Sequence, residues 1–351
     1  MKLASPYSLP HDASCPHYEF SRDHRFSLQG GRTLRHFAAV IPCLFGIGCL
    51  YQAIATELDR QSFPPPGNIV DIDGIQLHMQ TYGSGPVTVI LETGLGGMSA
   101  AWGWIQRETA KYSRVVSYDR AGLGWSEFDT EPKTAHRAAR RLHDLLSASQ
   151  ISPPYVLVGH SMGGLLMRVF TDNFADDVVG MVMLDACHPD QHLRSTAIGQ
   201  HMQTGFRVLR ATPLLTRLGY VRLAGLFNGW TEGLPPRQAA EAGMFLSSYR
   251  HLLTTRDECQ AWDQLCSDVR ETGSLGDLPL AVVTAGKDVL PGQPELQGEL
   301  AALSRDTMHL VVKGADHVTL VTTREHALTV AEVIRQVVEK GITRWRKAIG
   351  H

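Results

Sequence analysis

Tyr155-Val156-Leu157-Val158-Gly159-His160-Ser161-Met162-Gly163-Gly164 is the stretch on which the reading of this chain turns. Residues 155–158 form a short apolar run, the pattern of a strand buried on both faces. From Met162 to Phe174 the spacing is helical, so a helix starts where the strand stops. Between them stands a serine bracketed by Gly159 and Gly163. G-x-S-x-G is common by chance, but at a sharp strand-to-helix turn it has a mechanical meaning. The glycines permit close backbone approach, and the hydroxyl is presented at the top of the sheet. Ser161 is therefore the candidate nucleophile, and the first helical N–H, that of Met162, is a candidate oxyanion donor.

Outward from that turn, strands and helices alternate. Residues 69–72 and 75–79 flank Asp73-Gly74 and read as a hairpin. Apolar runs at 87–91, 114–118, 179–184, 280–284 and 309–312 read as further strands, and helical spacing covers 134–148 and about 324–339. The expectation is an α/β fold with a doubly wound, mostly parallel sheet and the hairpin at one edge. The core takes residues 68–186 and 277–345. Residues 187–276 carry helical spacing without a confident strand, and read as a helical cap over the carboxyl ends of the strands.

A serine hydroxyl is a weak nucleophile and needs a base. Position, among 16 histidines, selects His317, in the loop after the last strand. The acid that orients its ring is assigned to Asp288, just after strand 280–284, with Asp185 after strand 179–184 as the rival. Asp316 is read as shaping its loop. His160 adjoins the serine, with its ring expected to point away from the hydroxyl, and His188, His192 and His201 fall in the cap. The second oxyanion donor is expected in Glu92-Thr93-Gly94-Leu95-Gly96-Gly97, with the Leu95 N–H the best candidate. Gly94 and His160 are the candidate binding positions. That glycine loop lacks the spacing of a phosphate-binding loop.

Composition narrows the partners. With 33 Lys and Arg against 35 Asp and Glu there is no basic stripe, so nucleic acid is not expected. Six cysteines occur without a C-x-x-C pair, so neither a zinc site nor a redox motif is suggested. Cys259 and Cys266, read on one helix, would lie roughly 10 Å apart, too far for a disulfide unless the helix breaks. Residues 1–36 are polar and basic, and Phe37–Ala55 is free of charge. As a helix that run measures about 28 Å, close to the thickness of a bilayer's hydrocarbon. It is read as a signal anchor that leaves the catalytic domain exported, periplasmic or extracellular, with secretion after cleavage near Ala55 as the alternative. Residues 56–67, with Pro64-Pro65-Pro66-Gly67, form the linker.

Taken together, the loop 92–97, the segment Tyr118-Asp119-Arg120-Ala121-Gly122-Leu123-Gly124-Trp125-Ser126, the turn 159–164, Asp288 and His317 resemble the α/β-hydrolase superfamily, in its branch of capped serine esterases and lipases. The family usually has His-Gly where this chain has Thr93-Gly94, so the side-chain contact anchoring that loop is replaced here. The resemblance implies a serine hydrolase acting on a small-molecule carboxylic ester through an acyl-enzyme, with no metal or organic cofactor. Serine-dependent aminopeptidases or amidases, C–C hydrolases and cofactor-free haloperoxidases are alternatives within the fold, and a non-catalytic binding protein is the distant one. Dehalogenases and epoxide hydrolases are expected to carry aspartate at the position of Ser161. Leu209, Leu214, Leu215, Leu218 and Leu223, interspersed with Arg207, Arg210, Arg217 and Arg222, suggest a lipid-like substrate.

Overall fold

Runs of β-branched and aliphatic residues build the centre of one sheet. In the computed structural model, which describes residues 29–348 and 350, with side chains from residue 42 onward, β1 (Asn68–Ile72) and β2 (Ile75–Tyr82) form the antiparallel edge. Then come β3 (Thr88–Glu92), β4 (Arg114–Tyr118), β5 (Tyr155–His160), β6 (Val178–Leu184), β7 (Leu280–Ala285) and β8 (Thr307–Val312). The order across the sheet is β1-β2-β4-β3-β5-β6-β7-β8, parallel from β4 onward. Every residue of β3, β6 and β7 is buried, which is why these strands read as unbroken apolar runs.

The period-two alternation of strands splits the core into two layers. Ile90, Val116, Leu157, Met181 and Val282 face one way, and Val89, Val115, Val158, Val182 and Val283 the other. The described helices begin with α1 (Gln29–Ser62) and α2 (Gly103–Thr109), followed by α3 (Ala135–Ala148) and α4 (Met162–Asn173). α3 and α4 cover the first face with Leu142, Leu146, Leu165 and Phe170, and α3 starts where Thr134 accepts from the Arg137 N–H.

Between β6 and β7 lie α5 (Gln191–Arg194), α6 (Thr196–Arg217), α7 (Tyr220–Leu223), α8 (Pro236–Phe245), α9 (Tyr249–Gln260) and α10 (Trp262–Arg270). Their own apolar cluster, with Leu209, Phe227, Phe245 and Leu252, reaches Met98 and Ala100 beyond β3. The chain closes with α11 (Gln293–Ala301), α12 (Thr319–Thr322) and α13 (Arg324–Ala348), and α13 with α2 covers the second face of the sheet.

Two sequence expectations change here. Cys259 and Cys266 are not on one helix, since α9 ends and α10 begins around Ala261; both thiols are buried and free. Residues 1–28 lie outside the described residues, and the side chains of 37–41 with them. Contacts divide the chain at Leu44, and the unit Phe45–His351 holds the sheet. Among the described residues no helix is long and apolar enough to cross a membrane, so the transmembrane reading of 37–55 is not carried by the structure. Within Phe45–Ser62 the apolar surface is interrupted: Gln52 is buried and donates to Ser247 O (2.8 Å), and Asp59 pairs with Arg222. This end of α1 packs on the helices between β6 and β7 instead of presenting an apolar surface all round.

Candidate active site

The site is assembled at the carboxyl ends of β3, β5 and β6. At the turn out of β5, Ser161 has φ +56° and ψ −124°, a region that an L-residue occupies only when its surroundings hold it there. Those surroundings are visible. The Ser161 N–H donates to Leu184 O (3.0 Å), and its carbonyl accepts from Gly164 (3.1 Å) and Cys187 (3.0 Å), so the turn is tied to the end of β6. A Cβ on Gly159 would stand 2.6 Å from the Gly163 backbone, so the crossing of strand and helix closes only on glycine.

Ser161 Oγ lies 3.0 Å from His317 Nε2, and His317 Nδ1 lies 2.7 Å from Asp185 Oδ2. Asp185 is buried, and its other oxygen accepts from the Ala285 N–H (3.1 Å) and from Gln293 Nε2 (3.2 Å). Burial alone pushes its carboxyl up; the hydrogen bond and charge of His317, with the Ala285 N–H, outweigh it and hold the group below the usual range. An ionised Asp185 only accepts, so the proton of a neutral His317 sits on Nδ1 and Nε2 faces the serine hydroxyl as an acceptor.

The sequence assignment of the acid is corrected here. Asp288 does not meet His317. It lies beyond the end of β7 at φ +57° with its side chain 76% exposed, at the rim of the cavity beside Lys287. Asp185 follows β6 directly, beside the strand that carries Ser161, and the φ of +40° there turns its carboxylate toward the imidazole. Asp316 binds the N–H groups of Val318 (3.1 Å) and Thr319 (2.9 Å) within the histidine loop.

His160 packs its ring on that of His317, with centroids 4.6 Å apart, and its Nε2 lies 2.9 Å from the His317 carbonyl. Because a carbonyl only accepts, His160 donates. Burial and the adjacent His317 push its own imidazole down to about 3, so it stays neutral and acts as a buttress. Gly94 faces the serine closely: a Cβ there would stand 2.8 Å from Ser161 Cβ. Among the described residues no acceptor is found for the Leu95 or Met162 N–H, the two expected oxyanion donors. One neighbour went unforeseen. Cys187 Sγ lies 3.6 Å from Ser161 Oγ, and burial pushes its thiol up to about 11, so it is a neutral wall of the site.

These groups open into a cavity of about 680 Å³ whose far side is lined by Met202, Phe206 and Leu209 of α6 with Leu234 and Trp262. Of the three histidines placed in the cap, His201 lines the cavity, whereas His188 accepts from the Asp190 N–H and His192 faces Trp262. Among the described residues no cluster of side chains fits a metal ion.

A family model described as "Alpha/beta hydrolase family" matches residues 89–333, from β3 into α13. The chain belongs to that family. The uncharacterized protein YqjL of Bacillus subtilis (strain 168) is 35% identical over 115 residues, which are 32% of this chain and 46% of that protein. The matched stretches span less than half of the first curated relatives, 46%, 38% and 47% of their lengths. Among solved structures, the Cif epoxide hydrolase from Acinetobacter nosocomialis is similar at TM-score 0.65 and 14% identity, covering 82% of this chain and 96% of that one. A thermophilic esterase from Thermogutta terrifontis is similar at TM-score 0.53 and 20% identity, covering 77% and 97%. At such identities the likeness shows the fold alone, and this family's fold hosts more than one chemistry.

Proposed function

We propose that this chain hydrolyses carboxylic esters through an acyl-enzyme. The observation that carries this reading is the line Ser161 Oγ–His317 Nε2–His317 Nδ1–Asp185, at 3.0 and 2.7 Å. His317 takes the hydroxyl proton as Ser161 Oγ bonds to the ester carbonyl carbon, and Asp185 stabilises the imidazolium that forms. The N–H groups of Leu95 and Met162 bind the tetrahedral oxyanion. Its collapse breaks the ester C–O bond, and His317 returns the proton to the departing alkoxide. Water, deprotonated by the same imidazole, then splits the acyl–serine bond and releases the acid.

The cap favours this over an amidase that holds a substrate amine with cap carboxylates. Such a pocket wants carboxylates, and the cap holds Glu232, Glu241, Asp257 and Glu258 as candidates to supply them. None of these four lines the cavity, whose carboxylates apart from Asp185 are Asp288 and Asp316, in the loops after β7 and β8 beside Lys287. Glu241 pairs with Arg237, Asp257 with Arg256 and Glu258 with Arg120. Serine at 161 separates the chain from chemistry begun by an aspartate nucleophile. The apolar wall of Met202, Phe206, Leu209 and Leu234 suits an extended, lipid-like acyl chain.

A series of p-nitrophenyl esters from acetate to palmitate tests both parts, with the wild type beside Ser161→Ala. Turnover is expected in the wild type and lost in the variant, with a maximum at medium or long chains. Equal turnover by Ser161→Ala removes the mechanism, and activity confined to acetate removes the lipid-like substrate. Export is proposed from the basic residues preceding the run 37–55. A C-terminal phosphatase fusion that works only outside the cytoplasm reads it directly, and an inactive, stably produced fusion refutes it.

A further inference from the structure

The loop after β3 carries the Leu95 donor, yet few of its hydrogen bonds are internal. Its first two carbonyls, Thr93 O and Gly94 O, are held from outside by one guanidinium. Arg120 is buried, and all five of its N–H groups are used. Nη1 donates to Thr93 O (2.8 Å) and Glu92 Oε1 (2.5 Å), and Nη2 to Gly94 O (2.7 Å) and Glu258 Oε2 (3.0 Å). Nε donates to Glu258 Oε1 (2.8 Å). The decisive contact is the one to Gly94 O. That carbonyl belongs to the same planar peptide unit as the Leu95 N–H, and in a trans peptide the two point in opposite directions. A guanidinium fixed on the carbonyl therefore aims the N–H away from itself, and its charge polarises the amide into a stronger donor.

The second anchor comes from α9. Glu258 neutralises Arg120 and with Oε2 also accepts from the Gly96 N–H (2.9 Å), the next peptide along the loop. About two turns earlier on the same face of the helix, His251 Nδ1 accepts from the Gly124 N–H (3.1 Å) and Nε2 contacts Gly96 O (2.9 Å). A backbone N–H only donates and a carbonyl only accepts, so His251 is the neutral tautomer with its proton on Nε2. Glu258 and His251 are both buried, and both come from the insertion between β6 and β7, not from the sheet.

We propose that Arg120 is the positioning residue of the oxyanion hole, setting and polarising the Gly94–Leu95 amide, and that Glu258 locks it there, so that the hole is complete only while α9 is seated. This rests on the reading of Ser161 as nucleophile and Leu95 as donor. A seated α9 arms the serine, and a displaced one leaves Ser161 and His317 in place but without their stabilised oxyanion.

The test compares wild type, Glu258→Gln, Arg120→Lys and Arg120→Met in the full chain, with p-nitrophenyl ester turnover and with phenylboronic acid as a tetrahedral adduct of Ser161. Outright loss of one oxyanion donor costs about 100- to 1,000-fold in kcat, so a misaimed one is expected to cost roughly 10- to 100-fold. The loss should fall on kcat with KM nearly unchanged, and the boronate inhibition constant should rise by the same factor. Arg120→Lys, which keeps a charge near Gly94 O, should recover part of what Arg120→Met loses. Where Arg120→Met fails to fold, Glu258→Gln and Arg120→Lys decide. The proposal is overturned when those two, folded, keep kcat and boronate affinity within about twofold, or when they change KM alone. Ser161→Ala is run alongside: turnover that survives it defeats the underlying reading instead.

Discussion

His317 Nδ1 sits 2.7 Å from Asp185 Oδ2 although the two residues are 132 positions apart, and Asp185 is buried where Asp288 is exposed. In the proposed mechanism this pairing makes Asp185 the orienting carboxylate, by geometry and not by order along the chain.

From it follows a contrast between two isosteric substitutions. Asp185→Asn should lower kcat on the order of 1,000- to 10,000-fold, because an amide can present its N–H to His317 Nδ1 and favour the wrong tautomer. Asp288→Asn, at the rim, should stay within about twofold. Steady-state kinetics on one ester decides, and equal losses, or the reverse order, contradict the assignment.

Much of this was legible beforehand, for local reasons. Ser161 and His317 sit at strand ends that apolar runs reveal, and the turn and the glycine loop single out Met162 and Leu95 as the expected N–H donors. Asp185 was weighed but set second, since the order Ser–Asp–His is satisfied by Asp185 and by Asp288 alike. What separates them is a backbone twist at each strand end that no spacing encodes. Arg120 and Glu258, 138 positions apart, carry no local pattern at all. Arg120 falls within the glycine-containing segment 118–126, and Glu258 within the cap, where a lone charge is usually solvated. Helices at 103–109 and 293–301 were missed as well, the second because Gly292, Pro294 and Gly298 punctuate it like a loop.

Acid should weaken the fold through His251. Burial pushes its imidazole down to about 4, against 6.5 in the unfolded chain. As pH falls from about 6.5 to 4 the unfolded state takes up a proton that the folded state refuses, so stability is full above that window and lost on descending through it. The loss reaches about 2–3 kcal/mol by pH 4.5. Urea midpoints at pH 7 and pH 4.5 for wild type and His251→Gln should show a shallower acid slope in the variant, and identical slopes would exclude this role.

Gly159→Ala tests the turn. Its methyl would enter the Gly163 backbone at 2.6 Å, where neither strand nor helix can give way cheaply. A loss of about 3 kcal/mol or more is expected, seen as a large fall in melting temperature or no soluble protein. An unchanged melting temperature contradicts the crossing as described.

Met202→Trp tests the acyl wall. The larger ring would fill part of the cavity beside Phe206. Turnover of octanoate esters should fall roughly tenfold, with acetate nearly unaffected, as for a pocket that loses room for one or two methylenes. Equal changes for both esters would place the acyl chain elsewhere.

The most direct measurement of the central claim is labelling of the folded protein with a fluorophosphonate, followed by mass mapping of the adduct. A single phosphonyl group on Ser161, absent after Ser161→Ala and strongly slowed in Asp185→Asn, is the predicted result. No label on Ser161 in folded wild-type protein, or label on another serine with Ser161 untouched, would contradict it.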